Sequence, residues 1–174
     1  MTLRSVIVAA LLAGAVAAPL AAQQQPIQLA LFTPVQIIPE QQGVGVLRLN
    51  LIYSANRSVQ YVDLGFVNVT TGGASQGVQW AFVSINKGSF SGWQHSFAAV
   101  TQGPFVGLQS GGFTSARRGQ GVQWGVVNTA EYWNGLQFGL VNYTQRLHGV
   151  QVGLINIIKQ GGQFPVFPIV NWSF

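Results

Sequence analysis

Gly121-Val122-Gln123-Trp124-Gly125-Val126-Val127-Asn128, Gly135-Leu136-Gln137-Phe138-Gly139-Leu140-Val141-Asn142 and Gly149-Val150-Gln151-Val152-Gly153-Leu154-Ile155-Asn156 are three copies of one unit, set 14 residues apart. Weaker copies extend it backwards. Gly107-Leu108-Gln109 stands 14 before Gly121, while Gly92 and Gly77 step back by 15 each. Tyr61 to Asn68 lies 16 before the Gly77 copy, and Gly45 to Tyr53 is a more distant relative. Phe164 to Asn171 closes the series, with Pro165 and Pro168 intruding. Together with Ile27 to Gln36 this makes about ten β segments, each a structural unit too small to bury its own apolar face.

Side chains alternate within each copy. Val122, Trp124 and Val126 share one face and Gln123, Gly125 and Val127 the other, which marks a strand with two different environments. Only a few residues remain for each turn, and nothing after the N-terminal segment reads as helix. Two all-β architectures satisfy the pattern. In the favoured one, an antiparallel meander of about ten short strands closes as a small membrane β-barrel, with the apolar face outside. In the alternative, a parallel β-solenoid, each 14–16-residue copy is one coil, and Gln and Asn stack into ladders.

Three features favour the barrel. The apolar face carries Trp80, Trp93, Trp124 and Phe138, which in water would make a continuous exposed patch. Arg48 and Asp63 fall on the presumed interior face of successive strands, where barrel charges belong. Val166, Val170, Trp172 and Phe174 alternate and end the chain in an aromatic. Against the barrel, Trp172 and Phe174 fall on the Gln/Gly face by the repeat's own register. A bulge or register shift near Pro165 or Pro168 is therefore required. The expected interior residues are Arg48, Asp63, Gln79, Gln94, Gln109, Gln123, Gln137 and Gln151. In the barrel reading, Val170, Trp172 and Phe174 form the C-terminal insertion signal.

Composition narrows the function. Charged residues are only 6% of the chain, against an ordinary ~25%. The net charge is +5, but the cations are spread along the sequence and no basic run exceeds Arg117-Arg118, so nucleic acid is not expected as a partner. Cysteine is absent, which excludes disulfides and thiolate metal sites. Arg4, the apolar run Val6 to Ala18 and Leu20-Ala21-Ala22 read as an export signal over residues 1–22, leaving residues 23–174 as a single β-repeat domain.

Catalysis is poorly provided for. Glu40, Asp63 and Glu131 are the only acids and lie far apart, and His95 and His148 have no helix-spaced partner. A Ser96, His95, Asp63 set lacks a nucleophile-elbow sequence, and Gly119-Gln120-Gly121 lacks the context of a phosphate loop. No catalytic, cofactor or metal residues are assigned, and no cofactor is expected.

The repeat is similar to that of bacterial surface repeat proteins built from Gly-Leu-Gln-h-Gly-Leu-Val-Asn units, where h is apolar. The likeness runs from about Ile27 to Phe174, including the opening Leu31-Phe32-Thr33-Pro34-Val35-Gln36 and the ending Phe164-Pro165-Val166-Phe167-Pro168. The last strand resembles the terminal β-signal of bacterial outer-membrane barrels. These resemblances imply an exported protein of the outer membrane or cell surface and bring no catalytic residues. The expected partners are outer-membrane lipid and the export and barrel-assembly machinery. The expected role is structural or surface-interacting, with room for a narrow pore. The solenoid alternative implies an adhesin-like module that binds through a Gln/Asn face to an extracellular ligand the sequence does not name.

Overall fold

The computed structural model describes residues 25–174; the export-signal reading of residues 1–22 lies outside the described residues. Every element is a strand: β1 (Gln25–Phe32), β2 (Val35–Gln36), β3 (Val44–Asn50), β4 (Tyr53–Asn56), β5 (Gln60–Thr70), β6 (Ala74–Asn86), β7 (Ser89–Phe138), β8 (Val141–Gln160) and β9 (Val166–Ser173). β7 is 50 residues long because it winds through several coils without losing its ladder hydrogen bonds.

Pairing decides the architecture. β5 pairs with β6 in parallel at a separation of 16, as Asp63 with Gln79. β6 pairs with β7 at 15, as Gln79 with Gln94, and β7 with β8 at 14, as Gln137 with Gln151. Constant separations rather than constant sums make this a parallel β-solenoid. The expected antiparallel barrel is therefore corrected. Its alternation and its apolar outer face suit both folds, but only parallel stacking sets each copy on the equivalent residues of the last. That arrangement pairs Gln with Gln and glycine with glycine inside the stack. The pore reading falls with the barrel, because packed side chains fill the interior.

Antiparallel strands close both ends of the stack. β2 folds back on β1, and β9 runs antiparallel to β8. The β8–β9 register shifts between the Gly153–Ile169 and Asn156–Phe167 pairs, which flank Pro168. Proline and irregular pairing blunt an edge that would otherwise template another chain.

The interior is half apolar and half amide. Its apolar part is a column of buried Phe90, Phe105, Trp133 and Leu147. Gly119 stands where neighbouring coils carry a large side chain, and the Trp133 indole fills that space. Trp133 thereby stacks on Phe105, with ring centroids 6.0 Å apart, and bridges the coil between them. A smaller cluster of Ile38, Val44 and Val59 lies beneath the first coils.

From Gly77 on, one corner of each coil is a glycine with positive φ, including Gly107 (129°), Gly121 (121°) and Gly135 (131°). A Cβ on Gly135 would land on the Gly121 carbonyl oxygen. Side-chain-free corners let successive backbones stack there at the ~4.8 Å spacing of paired strands. Gly135→Ala should therefore destabilise the fold by about 1–3 kcal/mol from backbone strain alone, and by more once the clash is relieved. Gly72, where an added Cβ meets nothing within 4 Å, is the control: Gly72→Ala should leave the denaturation midpoint within experimental error.

Candidate functional site

The inward column shows what the chain has specialised for. Gln28 pairs with Arg48, Arg48 with Asp63, Asp63 with Gln79, and Gln79 with Gln94. Gln109, Gln123, Gln137 and Gln151 continue the column, and β9 brings Asn171 opposite Gln151. All the glutamines of this column are wholly buried. Gln109 Nε2 donates to Gln94 Oε1 at 2.9 Å, Gln123 to Gln109 at 2.8 Å, Gln137 to Gln123 at 2.6 Å and Gln151 to Gln137 at 2.7 Å. Gln151 Oε1, at the end of this chain of bonds, has no donor among the described residues.

A second column runs beside it. Thr114 Oγ1 donates to Asn128 Oδ1 at 2.6 Å, Asn128 Nδ2 to Asn142 Oδ1 at 2.8 Å, and Asn142 Nδ2 to Asn156 Oδ1 at 2.7 Å. The central glycines make room for it, since a Cβ on Gly139 or Gly153 would strike the amide of Asn128 or Asn142. Burying an amide is tolerable only when its donors and acceptors are met. Here each residue type meets itself. The Gln and Asn that the solenoid alternative offered to a partner are therefore enclosed, and no ligand reaches them.

Arg48 and Asp63 occupy adjacent rungs of the Gln column. Arg48 Nε and Nη2 donate to Asp63 Oδ1 and Oδ2, both at 2.7 Å, and Arg48 Nη1 donates to the Val69 carbonyl at 2.8 Å. Gln79 Nε2 adds a bond to Asp63 Oδ2 at 2.6 Å. The bidentate pair is nearly fully enclosed, with side-chain exposures of 0% and 4%. Its strands run parallel, not antiparallel as a barrel would require.

The outward face of the same strands is apolar over the length of the stack. Phe66, Phe82 and Phe97 stack with centroids 5.1 and 5.2 Å apart. Val126, Leu140 and Leu154 continue the column, the last 66% exposed. Trp80, Trp124 and Phe138 line the column beside it. At one coil both columns are interrupted by Ser110, Gly111 and Gly112, opening a groove of about 1090 Å³ walled by Phe97 and Trp124. Ser110 Oγ lies 2.9 Å from both Trp93 Nε1 and His95 Nδ1.

The residues written together as a possible triad are not brought together. Ser96 Oγ bonds Ser84, His95 bonds Ser110, and Asp63 is taken up by Arg48 and Gln79. The C-terminal set lies on or beside the capping strand: Val170 is half-buried, while Trp172 and Phe174 are exposed at 37% and 83%. The groove escaped sequence reasoning. Its signal was present, because Ser110 and Gly112 stand where the next copy carries Trp124 and Val126.

Asp63→Ala would leave the Arg48 guanidinium buried without its counter-ion and should cost about 3–5 kcal/mol. The Arg48→Met/Asp63→Leu double variant should cost less than Asp63→Ala alone, as followed by urea denaturation; strict additivity would show that the pair does not act as one. Gln123→Leu breaks two ladder bonds and orphans a buried group on either side. It should lower stability by about 2–6 kcal/mol, at roughly 1–3 per orphaned group. Comparison with protein-family models, curated proteins and solved structures finds no match, so the functional reading rests on this geometry.

Proposed function

We propose that this chain is an exported, non-enzymatic β-solenoid binding module of the bacterial outer membrane or cell surface, adhesin-like in presenting one broad surface on a rigid repetitive scaffold. The observation that carries this reading is the apolar face. Trp124 (61% exposed), Phe97 (62%) and Leu154 (66%) belong to apolar columns that run along the stack on both sides of the Ser110–Gly112 groove. The largest apolar patch on a typical soluble monomer is about 300–600 Å² and is itself often functional. Stacking between coils, as among Phe66, Phe82 and Phe97, accounts for part of this face but not for leaving so many large side chains open to water.

Outer-membrane lipid is the partner whose chemistry fits best. An apolar face studded with Trp80, Trp93 and Trp124 suits the membrane–water interface, where indole rings concentrate. Such docking would be peripheral: the solenoid lies on the leaflet and does not span it. Neither a catalytic step nor a cofactor enters this reading.

Flotation with phosphatidylethanolamine/phosphatidylglycerol vesicles tests it. The mature protein should float with the vesicles, and its tryptophan emission should shift to the blue. Phe97→Ser/Trp124→Ser should weaken binding by about tenfold or more, each lost aromatic contact being worth ~1.5–3 kcal/mol when fully buried. A wild-type protein that stays out of the floated fraction, with unshifted emission, would overturn lipid docking. Dimerisation abolished by the same double variant would instead assign the face to a second copy.

A further inference from the structure

The cations, scattered in the sequence, converge in the fold. Arg57, Lys87, Arg117, Arg118, Arg146 and Lys159 all lie at one corner of the coil, and all are exposed. The stacking that aligns them is explicit. Gly72 N donates to the Arg57 carbonyl, and Lys87 N to that of Thr70. Asn86 pairs with Thr101, setting Lys87 over Gln102, and Arg117 reaches Glu131 one coil on at 3.4 Å. Tyr132 pairs with Arg146, whose Nε donates to Gln160 at 2.7 Å. Six cations less Glu131 leave a net charge of +5 on this edge, and the only other described cation is the buried Arg48. From Arg57 to Lys159 the stripe crosses seven coil steps, roughly 34 Å at the spacing of paired strands.

We infer that this stripe is a binding edge for a linear acidic polysaccharide. Arg57, Lys87 and Arg117 recur on alternate coils, so positive charge repeats at roughly 10 Å along a straight line. A polymer carrying its charges on an extended chain matches that geometry; a compact anion would meet one cation at a time. Between the cations stand the amides of Gln102, Gln145 and Gln160, donors and acceptors suited to sugar hydroxyls. Arg118 and Arg146 are pre-ordered by Tyr132, each guanidinium 5.3 Å from the ring centroid, which lowers the cost of fixing them on a ligand.

The same sandwich argues against single-stranded nucleic acid. Binding of that kind relies on bases stacked on open aromatic faces, and the Arg118 and Arg146 side chains cover both faces of Tyr132. An anionic membrane is disfavoured by position. Within a coil, Val127 to Ala130 separate the stripe from the apolar face on one side, and Trp133 to Gly135 on the other. A leaflet seated on the apolar face does not lie against the cations. The inference is therefore independent of lipid docking.

Binding of the mature protein to polygalacturonate, with neutral dextran, a mixed-sequence single-stranded oligonucleotide and phosphatidylglycerol vesicles as competitors, tests it. Polygalacturonate should bind at low salt and be released as salt rises, while dextran should not compete. Lys87→Gln/Arg117→Gln should weaken binding by at least ~10-fold. Adding Gln25→Lys and Gln163→Lys, which restores net charge at the two ends of the stack, should not recover it. The apolar-face variant Phe97→Ser/Trp124→Ser should bind polygalacturonate as wild type does. Recovery by the relocated charges would overturn the stripe, since net charge alone would then suffice. Tighter binding of the oligonucleotide, tighter binding of the vesicles by the Phe97→Ser/Trp124→Ser variant, or no retention of polygalacturonate at low salt, would overturn the polysaccharide assignment.

Discussion

In a parallel in-register stack every buried residue rests on the residue one coil before it, and this like-on-like condition governs the rest of the molecule. A buried position must be compatible with itself. Glutamine and asparagine satisfy the condition because a primary amide carries both donor and acceptor, so copies can bond head to tail indefinitely. Phenylalanine satisfies it by stacking, as Phe90 does on Phe105 with centroids 6.0 Å apart. Charges do not satisfy it. Where they enter, at Arg48 and Asp63, they enter on adjacent rungs as complements, flanked by Gln28 and Gln79.

The same condition explains an inversion of ordinary protein anatomy. Hydrogen-bonded amides fill much of the interior, and large apolar side chains stand outside. Most coil-to-coil adhesion comes from backbone ladders and amide columns together with a narrow apolar stack, so the outward faces carry little of the duty to the fold. One face is then free to be apolar, and one edge free to be basic. A binding surface on such a scaffold is set by coil number and corner, not by loops.

The strand content, the coil repeat and the inward set were legible in the sequence, because period-two alternation fixes which residues share a face. Direction was not. An antiparallel barrel and a parallel solenoid put Gln123 and Gln137 on the same side, and Trp124 on the other; only the pairing partner distinguishes them. The Arg48 and Asp63 spacing of 15 was already that of the coil repeat, and it fits parallel stacking directly. Trp133 over Gly119 was hidden because one residue compensates for another a coil away. The basic edge was obscured by the change from 15- to 14-residue coils, although Arg57, Lys87 and Arg117 keep a spacing of 30 in the sequence.

The two amide columns donate in opposite directions. From Gln109 to Gln151 each glutamine gives its N–H to the coil before it, while Asn128 and Asn142 give theirs to the coil after. Hydrogen-bonded chains polarise along their length, and a run of amides all facing one way would build a dipole that grows with every unit, as in an α-helix. Here the two runs oppose each other across the same coils, and parallel strands add only small dipoles of their own. The stack therefore gains length without accumulating an axial field. Adding or deleting a coil that carries both amides then changes the reach of the apolar face and the basic edge with little change in the axial dipole of the amide columns.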